Sequence, residues 1–184
     1  MINSALKLLA ALLSVLLLFI FPLSDFLQRQ EDMNYLSITR SASVFTDSIR
    51  DRGYVTPTMY NEFLVQLAKT GEAYEVRMEH YEKRYEPIYL DPLLHQTFQE
   101  DFMIRYLATA HEDIMKVMFP SNLIAAPDDQ QRRYNMQSGD FFSIDIQRIS
   151  ASKASILQQW LLGTAPDRSN EVITAGGMVR NEAH

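Results

Sequence analysis

From Leu8 to Leu23 the chain reads LLAALLSVLLLFIFPL, with Ser14 as its only polar side chain, and no comparable run recurs. With Ile2, Ala5 and Leu6 upstream and Phe26 and Leu27 downstream, the run approaches the roughly 20 residues that cross a bilayer. It is longer than the core of a secretory signal, about 7–15 residues. The pattern then thins without stopping. Phe26, Leu27, Met33, Leu36, Ile38, Val44, Phe45 and Ile49 keep helical spacing, and no glycine intervenes before Gly53. Arg50 and Arg52 precede that glycine, a basic last turn and then a helix-ending residue. The spacing predicts one helix from about Ser4 to Arg52, bent near Pro22, where a backbone donor is lost. Its first half suits lipid, and the narrow apolar stripe of its second half suits the flank of a folded head.

Beyond Gly53 the periodicity alternates between helix and strand. Tyr54-Val55 is a brief extended piece. Thr56 with Pro57 opens a helix whose buried face is Tyr60, Phe63, Leu64 and Leu67, ending at Thr70-Gly71. Tyr74, Val76, Met78 and His80 then alternate with Glu75, Arg77 and Glu79, as in a half-buried strand. Pro87 and Pro92 are expected to end that strand. Phe98, Phe102, Tyr106, Leu107, Ile114, Met115 and Met118 predict a helix over Thr97–Phe119, closed by Pro120. Asn122–Arg133 reads as a loop, and Tyr134-Asn135-Met136 and Phe141–Gln147 as a pair of extended segments. Ser152–Leu162 predicts a short helix with Ile156, Leu157, Trp160 and Leu161 inward, stopped by Gly163. A last strand surrounds Gly176-Gly177, whose pairing suits a bulge or tight turn better than a ligand. The order predicts an α+β fold: a long N-terminal helix carrying a small mixed head built on an antiparallel sheet. The expected divisions are a transmembrane segment over 1–24, a helical stalk over 25–52 and an extracytoplasmic head over 53–184.

Charge sets the orientation of that arrangement. Lys7 and the α-amine precede the apolar block, while Asp25, Glu31 and Asp32 come after it with Arg29 between. Positive charge stays on the cytoplasmic side. The expected topology is therefore a single pass of the cytoplasmic membrane, N-terminus inside and head outside. Pro22-Leu23-Ser24-Asp25 lacks the small-x-small pattern of signal cleavage, which favours a retained anchor. The chain holds 17 basic against 23 acidic residues, a formal charge of −6, a balance that argues against nucleic-acid binding. It contains no cysteine, which excludes disulfides, zinc-thiolate sites and thiol nucleophiles.

Catalytic chemistry is hard to find. His80, His95 and His111 are the internal histidines. His111-Glu112-Asp113 are neighbours that point to different sides of a helix, and Met115 stands where the second histidine of a zinc motif would be. There is no nucleophile elbow, phosphate loop or dinucleotide fingerprint. Asp128-Asp129 lacks the further oxygen ligands calcium needs. The Tyr-Glu recurrence at Tyr74, Tyr81 and Tyr85 fits either an exposed aromatic rail or, preferably, a sheet with tyrosines on one face and glutamates in water. No cofactor or metal is expected, and the chain reads as non-enzymatic.

The layout has a resemblance. A short basic start, one apolar helix, the segment Asp47-x-Ile49-Arg50-x-Arg52-Gly53-Tyr54-Val55-Thr56, a helix with Tyr60, Phe63 and Leu64 leading to Thr70-Gly71, and Tyr134-x-Met136-x-x-Gly139-Asp140-Phe141-Phe142-Ser143 together resemble TadE-like minor pilins, the pseudopilins of tight-adherence and related type IV pilus systems. The resemblance implies a membrane-anchored subunit whose partners are the lipid bilayer and other pilin or pilus-assembly subunits. On that reading the assembly residues are Leu8, Ala10, Ala11, Ser14 and Pro22, since small residues on adjacent turns let a second helix approach. Pilins of this class are cut after a glycine or alanine and carry glutamate at the fifth position of the mature chain. Here Ala5 stands in that place and no glycine precedes the apolar block. The departure implies a chain not processed that way, or an accessory component. The alternative function is an anchored sensor or ligand-binding head, with a pocket between sheet and helix near Tyr74, Tyr81 and Trp160.

Overall fold

The computed structural model describes residues 2–91, 93, 95–121, 126–163 and 171–181. Pro92 and residues 122–125 of the expected loop lie outside the described residues, as does the side chain of His95. The fold is α+β, a long N-terminal helix with a small head built on antiparallel sheets.

Helix α1 (Ile2–Arg52) runs without interruption through Pro22. Several of its hydroxyls are satisfied within the helix. Those of Ser14, Thr39, Ser41, Ser43 and Thr46 each donate to the carbonyl four residues back. The first half is long and apolar enough to cross a membrane, with mean hydropathy 2.5 over its most apolar stretch and none of that stretch buried. Gly53 ends the helix at φ 72°, its amide donating to the Ile49 carbonyl over 2.8 Å.

Strand β1 (Tyr54–Val55) leads into α2 (Pro57–Ala68), capped by the Thr56 hydroxyl, which accepts from the Met59 amide. Next come the long strands β2 (Tyr74–Tyr89) and β3 (Phe98–Thr109), then α3 (His111–Met118) and β4 (Tyr134–Asn135). Strand β5 (Phe141–Arg148), α4 (Lys153–Leu162) and β6 (Val172–Met178) complete the head. The main sheet has the order β3-β2-β5-β6, antiparallel throughout, and β1 and β4 form a separate small pair.

The second half of α1 is one layer of the core. Ile38, Ala42, Phe45 and Ile49 are buried, as are Val76, Met78, Phe142, Ile144, Ile146 and Ile173 of the sheet. On another flank Phe63 of α2 stacks on Phe45, ring centroids 4.4 Å apart and planes 4° from parallel. Ile114 and Met118 of α3 join the same cluster. The two glycines of β6 are close-approach positions within a continuous ladder, neither bulge nor turn. A Cβ on Gly176 would stand 2.5 Å from the Phe142 carbonyl oxygen, and one on Gly177 would stand 2.6 Å from the Arg50 guanidinium carbon.

Four expectations are corrected. The helix expected over Thr97–Phe119 is strand β3 and then the short α3, because Phe102, Ile104, Tyr106 and Ala108 also alternate and β2 offers them a partner. Pro87 does not end its strand. There β2 has a neighbour on one side only, where a missing N–H is tolerated, and the register shifts just beyond. The segments Tyr134–Met136 and Phe141–Gln147 do not pair with each other; β4 pairs with β1, and β5 lies between β2 and β6. Ile156, Trp160 and Leu161 face outward from α4, whereas Ala154 is its buried contact.

Phe45 and Val44 test the two sides of the stalk. Phe45→Ala removes a stacked, buried ring and should cost about 3–5 kcal/mol. Val44→Ala, at an exposed position, should stay within about 0.5 kcal/mol. Denaturant unfolding of the detergent-solubilised chain measures both.

Candidate assembly surfaces and the stalk-to-head clamps

Strand β2 changes partners along its length. It pairs with β5 from Tyr74 to Tyr81 and with β3 from His80 to Tyr89. Past Tyr81 it therefore continues with β3 as a two-stranded ribbon, which at about 3.3 Å per residue extends on the order of 25 Å. Registers put Tyr81, Lys83, Tyr85 and Pro87 on one face together with Phe102, Ile104, Tyr106 and Ala108. Tyr85, Phe102, Ile104 and Tyr106 are all about half exposed or more. The opposite face carries ion pairs, Arg84 to Glu82 at 3.1 Å and Arg105 to Glu86 at 3.3 Å, with Met103 and Leu107 between them.

The apolar face does not end with the ribbon. Tyr81 meets the Phe141 ring edge-on at 6.2 Å, and Phe141 is paired with Met178 of β6. Phe141 and Met178 are exposed on the sheet face turned away from α1. An aromatic strip thus runs from the ribbon onto the outer sheet face, bordered by Glu79, Asp145 and Thr174. Two-stranded ribbons are marginal in water on their own, and extended apolar patches on folded proteins mark contact sites.

Two polar clamps fix the sheet to the stalk. At the end nearer the apolar block Arg148 reaches Glu31 of α1 at 2.6 Å and Glu72 at 3.5 Å, with all three side chains only 12–13 % exposed. The Tyr74 hydroxyl donates to Glu72 over 2.7 Å. Burial, then the Glu72 carboxylate, push the Tyr74 phenol up to about 12. At the far end Arg50 donates through Nε to the Met178 carbonyl and through Nη1 to Asp47. The Arg50 carbonyl accepts from the Arg180 amide, and Arg180 pairs with Asp51 at 2.7 Å. A cavity of about 360 Å³ opens beside the lower clamp, between Tyr35 and Ile38 of α1 and Ile146 and Ile173 of the sheet.

Two histidines hold strand ends together, a role the sequence pattern did not reveal. Asp140, 1 % exposed, accepts the Lys83 and Gln137 amides and the His80 Nε2 proton at 2.8–2.9 Å. The other ring nitrogen of His80 meets the Tyr134 hydroxyl at 2.8 Å. The cluster ties β2, β4 and the turn before β5, with His80 and Asp140 buried at its centre. His111 does related work at an edge. β3 does not pair with β2 below His80, and the Met78 amide donates to His111 Nδ1 over 3.2 Å. The imidazole stands in for the missing strand. Burial pushes its pKa below the ordinary value, opposed by the nearby Glu112.

The residues singled out in sequence are spread over several parts of the molecule. Leu8, Ala10, Ala11, Ser14 and Pro22 all lie exposed on the apolar half of α1. Ser14 spends its hydroxyl on the Ala10 carbonyl, so it offers an adjacent helix a small surface rather than a free donor. Tyr74, Tyr81 and Trp160 do not share a pocket. Tyr74 lines the cavity beside α1, Tyr81 belongs to the outer face, and Trp160 is exposed on α4. Tyrosines of the Tyr-Glu recurrence accordingly divide between the two faces of β2. Among the described residues no group of three or more acidic or histidine side chains is placed to hold a metal ion. No family model, curated protein or solved structure matches the chain.

The lower clamp and His111 each give a measurable outcome. Arg148→Met strands two buried carboxylates and should destabilise the head by about 3–5 kcal/mol, whereas Arg148→Met combined with Glu31→Gln and Glu72→Gln should recover most of that loss in denaturant unfolding. For His111 the folded-state pKa lies below the unfolded value of 6.5. Its contribution is present above pH 6.5 and is lost as pH falls through the folded pKa, since the unfolded chain then binds the extra proton. His111→Asn should flatten the corresponding part of the melting temperature against pH.

Proposed function

We propose that this chain is a non-enzymatic, membrane-anchored subunit of a cell-surface pilus or secretion apparatus, with the N-terminus inside, the head outside and assembly as its activity. One observation carries the reading. A single helix long and apolar enough to cross a bilayer continues into the core of a head whose far side presents an uncovered aromatic strip on a projecting ribbon. Anchor and contact surface belong to one body, which suits a part that is held in place and packed against neighbours.

The division of labour follows from chemistry. In lipid there is little hydrophobic drive between helices, so close packing at Ala10, Ala11 and Ser14 would bring subunits together there. Outside, burying the Tyr85, Phe102, Ile104 and Tyr106 face removes apolar area from water, which favours association. The resemblance to TadE-like minor pilins names the kind of apparatus. A ligand-binding head is a weaker fit. The polar groups beside the cavity, Glu31, Glu72, Tyr74 and Arg148, are engaged with one another.

The absence of cysteine allows a clean test with single introduced thiols. In oxidised native membranes Ile104→Cys, on the aromatic face, should form a discrete cross-linked species. Arg105→Cys, the next residue on the charged face, should not. Equal cross-linking of the two, or a monomer in both cases, overturns the reading.

A further inference from the structure

Helix α4 sits where the head meets the apolar half of α1. Its first residues, Lys153 and Ala154, share a concavity with Leu27, Gln30, Glu31 and Asn34 of α1. On this part of α1 a single stripe is half-buried. From Asn3 to Asn34 the half-buried residues are Ile20, Ser24, Leu27, Glu31 and Asn34, spaced four, three, four and three apart, and all the rest of that span is exposed. Such spacing is one face of a helix. The stripe descends from the head into the apolar block and ends at Ile20, inside Leu23.

Depth follows from the helix rise. Leu27 lies about 6 Å beyond Leu23 at 1.5 Å per residue. The polar headgroup layer on each side of a bilayer is about 5–8 Å deep. A helix packed beside Leu27 therefore lies at headgroup level if the apolar block fills the hydrocarbon.

The side chains of α4 match that level. Ala154 is buried, while Lys153, Ile156 and Trp160 lie three and four residues apart and are exposed, Trp160 by 73 %. In water an indole and an isoleucine presented together are an unfavourable surface. At the boundary of headgroup and acyl chain the indole body is buried while its N–H stays hydrated, and a lysine meets lipid phosphate. The only charge on α4 is this lysine.

We propose that α4 is an interfacial anchor, with Lys153, Ile156 and Trp160 lying in the outer headgroup layer of the bilayer that α1 crosses. This rests on the reading of α1 as a membrane span. Its consequence is a second attachment, which fixes rotation of the head about the α1 axis as well as its height.

Trp160 is the only tryptophan in the chain, so its fluorescence reports α4 alone. The full-length protein is reconstituted in phosphatidylcholine–phosphatidylglycerol vesicles, and resistance to alkaline extraction is measured separately. The expected result is an extraction-resistant protein whose Trp160 emission is blue-shifted, shielded from acrylamide and largely lost with lipids brominated near the headgroup end of the acyl chain. Bromine near the chain methyl should quench it less. An extraction-resistant protein whose Trp160 stays open to acrylamide overturns the proposal and leaves the span intact. Shielding from acrylamide without bromolipid quenching overturns it in favour of a second copy covering α4. Release by alkali overturns both the span and the anchor.

Discussion

The structure depends on one shared strip of side chains. Ile38, Ala42, Phe45 and Ile49 belong to the same helix as the apolar block, yet they are buried in the core of the head. The sheet's inner face and α2 have no other layer to bury against at that place. Removing apolar area from water is the dominant favourable term in folding, so the stalk is part of what stabilises the head. The apolar half of α1 and the head are consequently one piece, joined by a continuous helical backbone instead of a linker. The clamps at Arg148 and Arg50 then act at the two ends of this strip and fix the sheet lengthwise on the helix.

The outer face obeys the opposite logic. Close to the apolar half of α1 it is polar, with Glu75 and Arg77 paired over the beginning of β2. Farther out it becomes aromatic, and beyond Tyr81 the sheet narrows to two strands. Apolar exposure therefore increases along the head as the sheet loses strands.

Much of this was legible in the chain. Leucine-rich composition, the lack of glycine and the Arg50-Arg52-Gly53 ending were enough for α1, since all act within a few residues of one another. The Tyr74–His80 alternation and the Thr56-Pro57 cap are local in the same sense. The ribbon was not legible, because Phe98, Phe102 and Tyr106 fit helical spacing as well as they fit a strand, and only pairing with β2 decides between them. Partner choice for β4 and β5 is likewise a long-range matter. The roles of Asp140 and His111 as amide acceptors are not legible for a different reason: each receives a backbone amide from a strand distant in sequence, and no spacing rule encodes such a contact. The placement of Trp160 was misjudged because apolar spacing on a short helix marks a face without saying whether protein or lipid covers it.

A stiff stalk also behaves as a lever. From Leu23 to Arg52 the helix rises about 44 Å. Transmembrane helices commonly lean by around 20°, and such a lean carries the far end sideways by about 15 Å. If the apolar half of α1 crosses a bilayer, a change of lean imposed by neighbouring helices would swing the aromatic ribbon sideways without any rearrangement inside the head.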